Sequence, residues 1–155
     1  MGPQRWAAGI MVVLGAGHLG LSIVLKWSVV VGWVARGGWA AVPLIPADRS
    51  EAALVNGLTF WAGPGSFAVP LLLLGCLTWH LAGRGVTLPV GIGWGLAVWC
   101  LVGGVLLVPS PYFLGVVAGV LLVVARGRAV TGIASGRPGP VQDVGGVDGG
   151  DRRRR

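Results

Sequence analysis

The chain has 155 residues, enough for one small domain, and is 54% hydrophobic but only 11% charged, where soluble domains carry about 25% charged residues. That surplus of apolar surface excludes an ordinary water-soluble fold and predicts an integral membrane protein. The net charge of +7 does not signal nucleic-acid binding, because seven of the twelve basic residues lie from Arg126 onward and belong to a tail rather than a groove.

The first apolar stretch, Trp6 to Leu25, has no charge between Arg5 and Lys26. It is long enough to cross a bilayer, which takes about 20 apolar residues. Trp6 and Trp27 bracket it, as aromatic rings at the two interfaces would. The run exceeds the roughly 7–15 apolar residues of a signal peptide, and no A-x-A site follows, so a retained span is expected. Gly15, His18 and Ser22 recur at helical spacing and form a small, polar stripe that should face other helices.

Ser28 to Pro46 is apolar but holds Arg36, Gly37-Gly38, Pro43 and Pro46. The charge and the breakers argue against a crossing, so residues 28–46 read as an interfacial segment with Trp33 and Trp39 at headgroup level. Ser50 is a candidate N-cap with Glu51 in the favourable first turn. A second span is expected over about Leu58 to Trp79, kinked by Pro64 and Pro70 and closed by His80 and Arg84.

From Gly85 to Ala125 no residue is charged, which allows two more crossings. Thr87 and Pro89 suit the start of a third span, Leu88 to Val108. Pro109-Ser110-Pro111 forces a turn, and a fourth span runs from Pro111 to Ala125. Fifteen residues reach only about 22 Å, so Arg126 and Arg128 would snorkel or the bilayer would thin locally. Residues 127–155, rich in Gly, Pro, Asp and Arg, predict a disordered basic tail. The domain reading is therefore a four-span unit over 1–126 and a tail over 127–155.

Four spans put both termini on one side. With that side cytoplasmic, Arg5, Arg84, Arg126, Arg128, Arg137 and Arg152 to Arg155 face Lys26, Arg36 and Arg49 across the membrane, nine against three. This favours N-in, C-in. Eleven Arg against one Lys suggests high-GC coding and a bacterial inner membrane. The Arg run at the end of the tail could hold anionic lipid headgroups.

The chemistry is sparse. An ionisable group within the membrane is a functional candidate, and His18 is the one expected deep in lipid; its structural alternative is a neutral histidine bonding between helices or to Ser22. His80 falls at the inner end of its span, too far in depth from His18 for shared haem ligation. Cys76 and Cys100 are likewise separated and make no ligand motif. Trp61, Trp94 and Trp99 lie deeper than the interfacial tryptophans, and Trp61 joins His18 and Ser22 as a candidate for holding an apolar cofactor. Gly91-x-x-x-Gly95 and Gly115-x-x-x-Gly119 fit small-xxx-small packing, within the protomer or in a homo-oligomer. No Asp or Glu lies in a predicted span, which leaves proton-coupled transport without its usual carboxylate, and no acid, base and nucleophile cluster supports an enzyme.

Three motifs together resemble a family of small four-helix bacterial membrane proteins of unknown function, loosely DoxX-like. They are Gly15-x-x-His18, Thr59-Phe60-Trp61-Ala62-x-x-Gly65, and Leu107-Val108-Pro109-Ser110 before Tyr112-Phe113. The likeness spans Trp6 to Ala125 and departs at Pro64 and Pro111. It implies an all-α integral membrane four-helix bundle and carries no activity. The expected role is structural or accessory, without catalysis; the alternatives are a binding protein for a quinone, haem or other apolar cofactor using His18, and a small transporter subunit.

Overall fold

A computed structural model describes residues 2–38, 41–42, 50–107 and 111–134. Among these the chain is all-helical, with no strand. The helices are α1 (Pro3–Leu25), α2 (Trp27–Ala35), α3 (Glu51–Ala62), α4 (Ala68–Gly83), α5 (Val90–Leu106) and α6 (Tyr112–Ala134). Two of them, α1 and α6, are long and apolar enough to cross a membrane, while α4 and α5 are shorter apolar helices.

Local chemistry explains most boundaries. Pro3 opens α1, where its missing N–H costs nothing. Ser50 caps α3, its hydroxyl accepting from the Ala53 N–H at 3.2 Å. α2 follows α1 after Lys26 alone and ends at the Gly37-Gly38 pair, whose N–H groups return to Val34 and Trp33. The segment expected at the interface thus begins as a helix; Trp39, Pro43 and Pro46 lie outside the described residues. Asn56 ties this region to α3: it accepts from the Trp33 indole and donates to the Ala41 carbonyl at 2.7 Å.

The expected second span is not one helix. It breaks between Ala62 and Ala68 into α3 and α4; with α2 in the segment expected at the interface, the described residues form six helices where four spans are expected. Pro64 has no N–H to continue α3, and glycines flank it. The Gly65 N–H turns back to the Phe60 carbonyl at 2.8 Å, and the Phe60 ring lies against Gly65 so closely that a Cβ there would sit 2.7 Å from it. Pro70, expected to kink the span, does not. It is the third residue of α4, inside the first turn, where no donor is needed.

α4 closes with a Schellman turn. Gly85, at φ +71°, lets the Val86 N–H reach the Leu81 carbonyl and the Gly85 N–H reach that of Ala82. α6 also departs from expectation. It does not stop at Ala125 but continues through Arg126, Gly127 and Arg128 to Ala134. Gly127 costs only about 1 kcal/mol against Ala, and no proline intervenes before Pro138. Its apolar window of 20 residues, Tyr112–Thr131, spans about 30 Å, which removes the expected shortfall. The rest of the tail, 135–155, lies outside the described residues.

Packing joins α4 to α1, α1 to α6 and α6 to α5, each pair antiparallel. Glycines set the approach. A Cβ on Gly15 would lie 2.8 Å from the Ala68 carbonyl, and one on Gly75 3.0 Å from the Val12 nitrogen. On the other side Gly119 meets the Gly93 carbonyl at 2.6 Å by the same measure. Gly103 and Gly104 receive the rings of Tyr112 and Phe113, which is what the aromatic pair after the turn is for. The interior is accordingly made of small side chains (Ala7, Ala8, Ala97, Cys100, Ala118) with Met11, Leu71, Leu88, Leu96 and Leu122, while Val13, Val24, Leu73, Leu106 and most tryptophans point outward.

Candidate functional site

α4 and α5 are joined by neither of the glycine-mediated seams. Near one end of the molecule they diverge and leave a cavity of about 420 Å³. Two interruptions of the chain meet there: the α3–α4 break supplies Ser66 and Phe67, and the α5–α6 turn supplies Leu107, Pro111 and Tyr112. α1 contributes Leu14 and His18, α3 contributes Trp61, and Cys100 and Leu71 form much of the floor. Phe67 also touches the Trp99 ring, centroid to centroid 5.7 Å, closing part of the gap between α4 and α5.

His18 is held by the break itself. In a continuous helix the Ala62 carbonyl would accept from the N–H of Ser66; here Ser66 donates to Gly63 instead. The freed carbonyl accepts from His18 Nε2 at 2.7 Å. A carbonyl only accepts, so Nε2 carries a proton and donates it. Ser66 Oγ accepts from the Ala68 N–H at 3.2 Å and retains its own proton to donate. The cavity is thus an apolar, aromatic-edged chamber with a few hydrogen-bonding groups at its rim.

The structure brings together two of the three candidate cofactor-binding residues, His18 and Trp61, at this cavity. Ser22 lies one turn further along α1, beside Gly63, adjacent to the break and outside the cavity lining. Trp94 faces outward, away from the cavity. His80, in the last turn of α4, is at the opposite end of the bundle from His18. Cys76 is exposed and Cys100 buried, on different helices. Among the described residues no three His, Cys, Asp or Glu side chains form a group that could hold a metal.

The sequence does not single out Ser66 or Phe67; it offers Cys100 only as a thiol alongside Cys76 and Tyr112 only as part of a motif. A signal did exist: Gly63-Pro64-Gly65-Ser66 and Pro109-Ser110-Pro111 are both breaker clusters, and antiparallel threading places the α3–α4 break and the flanking Leu107 and Pro111 at the same end.

A model described as a family of unknown function, DUF6463, matches residues 2–129, from the start of α1 into the extended part of α6. No curated protein and no solved structure matches the chain, and nothing in the comparisons links it to DoxX-like proteins specifically. By that match over most of its length, the chain belongs to the DUF6463 family.

Proposed function

We propose that the chain is a multi-pass membrane protein with a structural or accessory role and no catalysis of its own. It crosses the bilayer four times, through α1, the interrupted α3–α4 unit, α5 and α6, with both termini in the cytoplasm. The observation that supports this best is the inverted distribution of side-chain size. Gly, Ala and Cys fill the contacts between helices, and large apolar side chains cover the outside. In water that arrangement would expose a continuous apolar surface far beyond the patches of about 300–600 Å² found on soluble monomers. In lipid it is the economical one, because small residues let helices approach while Leu and Val solvate the tails.

α4, with 16 residues, reaches about 24 Å alone. The break and the last turn of α3 would complete a crossing of the roughly 30 Å core, and irregular backbone at that depth is tolerable because His18 satisfies the freed carbonyl. Arg5, Arg84, Arg126 and Arg128 gather at one end and Lys26 and Arg36 at the other, which favours the Arg-rich end as the cytoplasmic one.

Cysteine accessibility in intact cells tests the reading. With Cys76 and Cys100 replaced by Ala, an impermeant thiol reagent should label Arg36→Cys from outside and Arg84→Cys only after permeabilisation. Equal labelling of both from outside, or recovery of the protein in the aqueous fraction without detergent, overturns it.

The cavity favours a second reading, in which the protein holds an apolar cofactor. Its volume lies within the roughly 300–1,000 Å³ of small-ligand sites, and its mostly apolar wall with a few polar groups has the usual character of one. Because His18 Nε2 is committed to Ala62, the site suits a neutral, ring-bearing molecule such as a quinone better than haem. An organic extract of the purified protein should then contain a quinone in proportion to protein, and Trp61→Ala should lower its amount. An extract without one counts against the reading.

A further inference from the structure

We propose a second site, at the Arg-rich end of the bundle, that binds the phosphate group of an anionic ligand. It is separate from the cavity at His18 and from the terminal Arg run. Three elements converge there: the first turn of α1, the α4–α5 turn and the middle of α6. They enclose a cleft of about 220 Å³ whose lining includes Arg5 and Arg128, with Gly2, Gly85 and Thr87 supplying slim walls.

The cleft is built rather than accidental. The buried Gln4 side chain donates from Nε2 to the Val86 carbonyl at 3.0 Å, which fixes α1 to the turn. Arg126 donates from Nη1 to Thr87 Oγ1 at 2.8 Å, which fixes α6 to the same turn. The Schellman geometry at Gly85 holds the turn itself in place. Arg5 and Arg128 are therefore presented from two helices by a braced frame.

Charge decides what fits. The only acidic residue described is Glu51, at the start of α3 and beyond the other end of α1, so no described carboxylate neutralises Arg5, Arg84, Arg126 or Arg128. The N-terminus of α1 adds its positive dipole end, with no acidic residue in its first turn. Guanidinium groups match phosphate oxygens in geometry as well as charge. The cleft is too small for a large polyanion and open enough for one phosphate with a short polar substituent. At the end of apolar helices, such a group would be the phosphodiester of an anionic phospholipid or a soluble phosphate.

The test uses the full chain purified in an uncharged detergent and titrated with dioctanoyl phosphatidylglycerol, dioctanoyl phosphatidylcholine and inorganic phosphate. Phosphatidylglycerol is expected to bind saturably, and phosphatidylcholine about tenfold more weakly or less. The R5Q/R128Q variant should lose about tenfold in phosphatidylglycerol affinity, whereas a variant with Arg152 to Arg155 all changed to Gln should keep it. Competition by millimolar inorganic phosphate identifies a soluble phosphate as sufficient; its absence assigns the site to the lipid headgroup. Undiminished binding in R5Q/R128Q, or loss in the tail variant instead, overturns the proposal. Should R5Q/R128Q lose helicity, the single variants R5Q and R128Q take its place: each should lose several-fold in phosphatidylglycerol affinity, and undiminished binding in both overturns the site equally. Only the lipid source rests on the membrane reading, whose own failure would show separately, as protein in the aqueous fraction.

Discussion

His18 illustrates how one side chain acquires its environment from a backbone event elsewhere. The Ala62 carbonyl loses its helical partner because Pro64 and its glycines end α3, and the imidazole on α1 takes that place. His18→Ala should therefore destabilise the fold by about 1 kcal/mol, the net worth of one hydrogen bond, and by more if the freed carbonyl faces lipid, measured by thermal unfolding in detergent. His18→Gln, which keeps a donor, should recover part of the loss. At the other end Gly85 carries a left-handed φ of +71°. Gly85→Ala should cost about 1 kcal/mol or more and Gly85→Asn less, read by the same melt; equal effects would show that the turn can reshape. His18 stands out in the sequence as the ionisable residue within the first apolar run, but its partner does not, since residue 62 is remote in the chain and hydropathy carries no contact.

At the scale of elements, spacing announced glycine-mediated packing without saying which glycines pack. Gly115-x-x-x-Gly119 lies in the α5–α6 seam, where an added Cβ at Gly119 meets the backbone of Gly93 and Ala97 within 2.7 Å. Gly91 and Gly95 have open space around them. Gly119→Ala should push α5 from α6 and cost about 1–3 kcal/mol, while Gly91→Ala should be neutral or slightly stabilising through helix propensity. A melt in which both variants behave alike would contradict this register. The prolines divide similarly. Pro64 and Pro70 look equivalent in a hydropathy profile, yet one ends a helix and the other sits in a first turn, because the flanking glycines and the Phe60 ring decide where the chain reverses.

For the whole molecule, the outward apolar surface makes a prediction that separates lipid from water. Leu73 is 63% exposed on α4. On a soluble protein, a polar substitution at such a site stays within about 0.5 kcal/mol. At the centre of a membrane-crossing helix, Asp costs roughly 2.5–3.5 kcal/mol of insertion free energy. Leu73→Asp should thus sharply reduce the membrane-inserted fraction on fractionation of cells, and a normal level would speak for an aqueous or protein-covered face. The apolar exterior also explains why the Arg-rich end stands out: with 11% charged residues in the chain, the few described charges gather toward the two ends of the bundle.

The sequence alone determined the helical class, the apolar character of the main helices and the approximate limits of α1 and α5, because these depend on composition, periodicity and local breakers. Ser50 as a cap and the interruption between α5 and α6 were legible for the same reason. The tertiary structure alone decided that the second apolar run is two helices, that α6 continues past Arg128, and that α4 and α5 part to leave a cavity beside His18. The Phe60 ring over Gly65 is a local contact, but an imidazole on Ala62 and an arginine on Thr87 join residues far apart in the chain. Local propensity leaves such choices nearly balanced, and a single long-range contact worth a kcal/mol or so is enough to settle them.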